Sequence, residues 1–86
     1  KSETKSKQSI VVSIRGDGRT YIGQQSVIFD SLFAELSKRI DKKDTTVKQA
    51  VVINADTSVS VNKLVMIMRD AKKAGASSAS LSVDGQ

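Results

Sequence analysis

Residues 51–83 read VVINADTSVSVNKLVMIMRDAKKAGASSASLSV, and their pattern predicts the topology of the chain. The run Ala50–Ile53 is short and continuously apolar, which is typical of a strand buried on both faces of a sheet. Turn-forming side chains follow in Asn54–Ser58. In Ser78–Val83 apolar residues alternate with serines, as in a strand with one buried face. Because a helical pattern separates the two strands, we expect a right-handed crossover with both strands parallel in one sheet.

The segment between these strands predicts an amphipathic helix. Ser60 is the N-cap candidate, and Gly75 stands at the C′ position, where a left-handed residue commonly ends a helix. The residues expected on the apolar face are Val61, Leu64, Val65, Met68 and Ala71. Helical projection puts Ile67 on the flank of this face and Met66 opposite it, so Met66 is expected to be partly exposed.

Upstream of this unit, two extended stretches predict a β-hairpin. The fold is expected to start at Ser9, where a β-branched run over Ile10–Ile14 begins. Gly16–Gly18 then supplies the positive-φ and side-chain-capped positions that a tight reversal requires. Arg19–Gly23 is the predicted returning strand, and it ends in a second turn at Gly23–Gln25.

A first helix is predicted downstream of the hairpin by apolar residues at spacings of three and four. They are Phe29, Leu32, Phe33, Leu36 and Ile40. Ile28 stands where an N-cap residue is expected, so Ser26 or Asp30 would have to serve with a shifted boundary. The polar stretch Asp41–Lys48 is predicted to be a loop.

The resulting element order is β-β-α-β-α-β. Two helices with one apolar stripe each predict an α+β fold, a two-layer sandwich of one mixed sheet with both helices on one face. Residues 1–8 are polar and without periodicity, so we expect a flexible linker there and a single domain over residues 9–86.

The amino-acid composition excludes most common catalytic groups and metal ligands. The 86 residues contain no Cys and no His, so thiol and imidazole catalysis and the usual zinc ligands are excluded. We expect no cofactor, no metal and no enzyme activity. The net charge of +5 favours anionic partners, but its cations are spread over a polar tail and two helix ends. Tyr21 is the only aromatic residue in a predicted strand, which makes a nucleic-acid partner unexpected because bases have no paired aromatics to stack on.

Candidate contact residues are therefore sought on edges and exposed faces. An edge strand offers unpaired backbone groups to an extended peptide, and either Ser78–Val83 or Ser9–Ile14 is a candidate for that position. The residues predicted to bind a partner are Met66, Ser80, Leu81, Ser82 and Val83. Asp56, between a strand and a helix, is interpreted as a turn or cap residue rather than as a ligand.

Several of these stretches resemble the C-terminal periplasmic domain of the ExbD/TolR family. Residues 51–83 are similar to the family pattern: an apolar strand ending in Ala-Asp, a valine-bearing loop, a helix, Ala-Gly and a final strand. VVSIRGDGRTYIGQQSV, at residues 11–27, is similar to the family's first two strands. Lys42–Thr46 and Tyr21–Gly23 favour ExbD over TolR.

The resemblance implies a domain of a single-pass inner-membrane protein, located in the periplasm. Its expected function is to energise TonB-dependent transport as the small subunit of a proton-driven motor. Its expected partners are a second copy, an ExbB-like channel subunit and a TonB-like transducer. A TolR-like, peptidoglycan-binding domain of the Tol-Pal envelope system is the alternative. The chain begins at Lys1 without a Met, so we expect the membrane anchor outside these residues.

Overall fold

Strands and helices occupy most of the chain that the structure describes. The structure is a computed structural model that describes residues 5–6, 9–40 and 47–84. Its elements are β1 (Lys5–Ser6), β2 (Ile10–Ile14), β3 (Thr20–Ile22), β4 (Gln25–Val27), a 3-10 turn (Phe29–Ser31), α1 (Leu32–Arg39), β5 (Val47–Lys48), β6 (Ala50–Asp56), α2 (Val61–Ala74) and β7 (Ser78–Asp84).

One mixed sheet has the strand order β4-β3-β2-β6-β7. β2 pairs in parallel with β6, and β6 pairs in parallel with β7. β3 runs antiparallel to both β2 and β4. The parallel pairing of β6 and β7 around α2 confirms the parallel pair predicted from residues 51–83.

The hairpin of β2 and β3 closes through backbone hydrogen bonds. The Arg15 N–H donates to the Arg19 carbonyl and the Gly18 N–H to the Arg15 carbonyl, each over 2.9 Å. Gly18 has a φ of 93°, a left-handed conformation that glycine adopts without strain, so the predicted turn is confirmed. Gly23, with a φ of 62°, starts the second turn. That turn leads into β4, a strand that was not predicted because it is short and two of its three residues are polar and exposed.

Both helices cover the same face of this sheet, which confirms the predicted α+β sandwich. The buried sheet residues on that face include Val12, Ile14, Ile22, Val51, Ile53 and Ala55. The helices contribute Leu32, Leu36, Leu64, Ile67, Ala71 and Ala74 to the same cluster. The core is thus a single layer of side chains between sheet and helices.

β6 is not buried on both faces, and that prediction is wrong. Val51 and Ile53 are buried, whereas Val52 is only partly buried and Asn54 is exposed. Buried and exposed side chains alternate along β6 because both helices lie on one face of the sheet and no helix among the described residues covers the other face. β6 also continues beyond the predicted end at Ile53, as far as Asp56.

α2 is rotated about its axis relative to the prediction. Ile67, expected on the flank, is 0% exposed, whereas Val61 and Val65, expected on the apolar face, are 72% and 44% exposed. Ala71 and Ala74 share the face of Ile67, and their small side chains let the helix approach the sheet there. In the same way Phe33 of the first helix is exposed although its spacing predicted burial.

The ends of α2 agree with the sequence. The N–H of Lys63 donates to the Ser60 hydroxyl over 3.3 Å, which confirms the predicted N-cap. Gly75 has a φ of 112° and ends the helix as predicted. The start of α1 differs from the prediction. The 3-10 turn precedes α1, and no side chain forms a cap hydrogen bond at the start of either element, so neither Ser26 nor Asp30 is the N-cap.

The predicted linker and loop contain two short strands. Lys5–Ser6 pairs in parallel with Val47–Lys48, as β1 and β5. The assignment of residues 1–8 to a flexible linker stays a prediction, and residues 1–4 and 7–8 lie outside the described residues. So do residues 41–46 of the predicted loop, including Lys42–Thr46.

Candidate partner-binding edge

β7 is an edge strand in the part of the chain that the structure describes. It pairs with β6 along seven residues, and no described strand pairs with its other side. The backbone N–H and C=O groups on that outer side can accept an added strand. β2 lies between β3 and β6, so the alternative that Ser9–Ile14 forms an edge is wrong.

Two apolar side chains of β7 point to the face that holds the core, yet they are only partly covered. Leu81 is the direct partner of Ile53, and Val83 is the direct partner of Ala55. Ile53 and Ala55 are buried, whereas Leu81 is 39% exposed and Val83 is 49% exposed. The core therefore reaches the solvent at this edge of the sheet.

One flank of α2 continues this apolar surface. The Lys63 ammonium lies 5.3 Å from the centre of the Phe29 ring, so the flank that bears Lys63 faces the start of the first helix. Since an α-helix turns by about 100° per residue, Val61, Val65 and Met68 fall on the other side of the buried stripe. Met68 and Val61 therefore lie on the side of α2 nearer β7, which α2 contacts, and Val65 lies further round toward the solvent. We call five residues the β7–α2 strip, of which Met68 is partly buried and the other four are exposed: Val61, Val65, Met68, Leu81 and Val83.

Cationic side chains border the strip at the C-terminal end of α2. Arg69, Lys72 and Lys73 line a shallow groove together with Val65 and Met68. The ion pairs found among the described residues, such as that between Glu35 and Arg39, involve none of these three cations. The strip is therefore apolar along most of its length and positively charged at one end.

The structure separates the predicted contact residues into three places. Leu81 and Val83 lie in the strip. Ser80 and Ser82 lie on the opposite, helix-free face of the sheet. Met66 is 49% exposed on the outer side of α2, which confirms its predicted exposure, but it lies apart from the strip. A role for any of these residues in binding stays a prediction.

Asp56 forms the turn between β6 and α2. Its carboxylate accepts hydrogen bonds from the Ser58 hydroxyl and, over 2.9 Å, from the Ser58 backbone N–H. These two bonds favour the ionised form and hold the pKa of Asp56 below its ordinary value. The predicted turn-forming role is confirmed.

No group of three or more metal-ligating side chains occurs among residues 5–6, 9–40 and 47–84. The arrangement found at β7 is suited to binding through backbone hydrogen bonds and apolar contact.

A comparison with protein families identifies the chain's relatives. The family described as biopolymer transport protein ExbD/TolR matches residues 1–85. The chain belongs to the ExbD/TolR family. No curated protein matches it.

Membership in the ExbD/TolR family implies a role in energised biopolymer transport and in membrane-associated complexes. The family is membrane-associated. Within the described residues, neither helix has the length and apolar character needed to span a bilayer.

The flank of α2 was not predicted as a contact surface, because the spacing of apolar residues placed Val61 and Val65 in the core. A signal was nevertheless present. The apolar positions of α2, from Ala74 round to Val65, cover an arc of about 180°, which is wider than the roughly 100° that a core-facing stripe needs. An apolar arc of that width indicates a second contact surface beside the core.

Proposed function

We propose that this chain is the periplasmic domain of the small subunit of a proton-motive-force-driven inner-membrane motor, and that it energises TonB-dependent transport across the outer membrane. It does so by protein–protein interaction and has no catalytic activity of its own. Its partners are a second copy of the chain, an ExbB-like channel subunit and a TonB-like transducer. The family match over residues 1–85 supports this proposal.

The observation that carries the proposal is the uncovered edge at β7. An extended segment of a transducer can add to the backbone of β7 and cover Leu81 and Val83, which are otherwise half exposed. Movement of one charge through a membrane potential is worth about 2.3 kcal/mol per 100 mV. The motor supplies that free energy outside these residues, and the domain converts it into binding or release of the segment.

Transport in cells tests the proposal. The full-length gene is expressed in cells that lack it, and uptake of a TonB-dependent substrate is measured for the wild type and for Leu81→Lys. A lysine at this position places a charge on the apolar surface that the added strand must cover. We therefore expect uptake to fall by at least tenfold. Protein abundance is measured in parallel, and Leu81→Ser serves as a milder variant.

Ser82→Lys is the matched control because Ser82 is the next residue of the same strand and faces the other side of the sheet. Uptake should be retained in this control. Wild-type uptake in cells that carry Leu81→Lys at normal abundance would contradict the proposal.

A TolR-like domain that binds peptidoglycan is the second candidate function. The net charge of +5 and the cations of α2 at Arg69, Lys72 and Lys73 favour an anionic polymer such as the cell wall. Cosedimentation of the purified domain with peptidoglycan separates the two functions. Salt-sensitive cosedimentation, together with wild-type TonB-dependent uptake in the Leu81→Lys cells, would favour the TolR-like function.

A further inference from the structure

The β7–α2 strip has a direction. β6 and β7 are parallel, and α2 connects the end of one to the start of the other, so α2 runs antiparallel to β7. Val61 therefore lies toward Val83, and Met68 lies toward Ala79. Lys72 follows at the Ala79 end, whereas Arg69 points further round toward the solvent. One end of the strip is apolar and the other is positively charged.

A strand added to β7 would place every second side chain against the β7–α2 strip, from its apolar end to its positively charged end. Neighbouring strands lie about 4.8 Å apart, and residues directly opposite each other share a face of the sheet. The residues of the added strand opposite Val83 and Leu81 therefore enter the apolar part of the strip. The residue opposite Ala79 enters the part bordered by Lys72.

We infer that the β7 edge selects an extended peptide segment with apolar side chains opposite Val83 and Leu81 and an acidic side chain opposite Ala79. The acidic side chain pairs with Lys72, which has no ion pair among the described residues. This inference rests on the proposed function and adds the sequence pattern of the partner. The residues at the intervening positions face the helix-free side of the sheet, where small polar side chains fit beside Ser80 and Ser82.

Charge argues against a second copy of the chain as the occupant of this strip. A two-fold contact brings the same surface of each copy together. The described side chains of the strip and its border include three cations and no acid, so the second copy would add cations without pairing any. A segment with an acidic residue supplies the missing negative charge. A homodimer would therefore use another surface of the domain.

Titration of the ¹⁵N-labelled domain with short peptides tests the pattern. The two probes, with blocked termini, are Ser-Val-Ser-Val-Ser-Glu-Ser for antiparallel addition and Ser-Glu-Ser-Val-Ser-Val-Ser for parallel addition. In each matched control peptide Lys replaces Glu. We expect backbone amide shifts along β7, and at least tenfold tighter binding of one Glu peptide than of its Lys counterpart. The tighter of the two Glu peptides gives the direction of the added strand.

Charge reversal in the domain completes the test. Lys72→Gln should remove the preference for Glu, and Lys72→Glu should reverse it in favour of the Lys peptide. Lys63→Glu is the matched control, because Lys63 lies on the other flank of the same helix. It should leave the preference unchanged.

Two outcomes overturn the inference without touching the proposed function. In the first, Glu and Lys peptides shift β7 with equal affinity, so the edge accepts strands without regard to charge. In the second, neither peptide shifts β7 although Leu81→Lys abolishes uptake in cells. Wild-type uptake in Leu81→Lys cells would instead remove the proposed function.

Discussion

Truncation of Ile67 and of Val65 tests which face of α2 is packed against the sheet. Ile67 is fully buried, whereas Val65 is 44% exposed. Ile67→Ala removes three buried carbons at about 0.8 kcal/mol each, a transfer loss of about 2.4 kcal/mol. The cavity left behind raises the expected loss of unfolding free energy to about 3 kcal/mol, within the usual range for such truncations.

Val65→Ala removes two carbons that are only about half covered, a loss of about 0.9 kcal/mol. Alanine is the better helix former by about 0.5 kcal/mol, so the net loss should be near 0.4 kcal/mol. Urea unfolding followed by circular dichroism measures both variants. With a slope of about 1 kcal/mol per M of urea, the two midpoints should fall by about 3 M and about 0.4 M.

An equal loss of unfolding free energy in the two variants, or a larger loss for Val65→Ala, would show that the assigned orientation of α2 is wrong. Either result would mean that Val65 faces the core as the spacing of apolar residues predicted. The β7–α2 strip would then lose its central residue, and the inference built on it would fail. An unchanged slope for both variants is the internal control that the unfolded states are comparable.

Three further predictions concern the turn and cap that precede α2. Ser60→Ala removes the N-cap acceptor and should lower the unfolding free energy by about 1 kcal/mol, whereas Ser60→Asp should retain it; equal urea midpoints for wild type and Ser60→Ala would contradict the cap. Gly16→Ala would place a Cβ 2.7 Å from the Ser58 hydroxyl oxygen, so thermal or urea unfolding should show a loss of about 1–3 kcal/mol that is smaller in a Ser58→Ala background. The lowered folded-state pKa of Asp56 stabilises the fold above its unfolded pKa of about 3.9, and this stabilisation is lost as the pH falls through the lower folded value. The stability difference between wild type and Asp56→Asn should therefore narrow on acidification from about pH 6 to about pH 2, and a constant difference would speak against the role of these bonds.

Local chemistry is what the sequence reveals reliably in this chain. Gly18 and Gly75 adopt the left-handed conformations that their positions require, and Ser60 caps α2. The parallel pairing of β6 with β7 also follows from the order strand, helix, strand, because a helix-length connection can return the chain to the same end of the sheet. The turns and the cap depend on a few residues that are adjacent along the chain, and the parallel pairing depends on the order and length of three consecutive elements.

The turns, the ends of α2 and the parallel crossover could be predicted from the sequence, since these depend on backbone conformation and connection length. The packed fold was needed to show that β2 is interior and β7 is an edge, that Ile67 is buried, and that Val65 is exposed. The physical reason is that an apolar side chain is buried only where another element covers it. α2 has apolar residues over a wider arc than one face of a five-stranded sheet covers, and the spacing of those residues is the same whichever part of the arc faces the core.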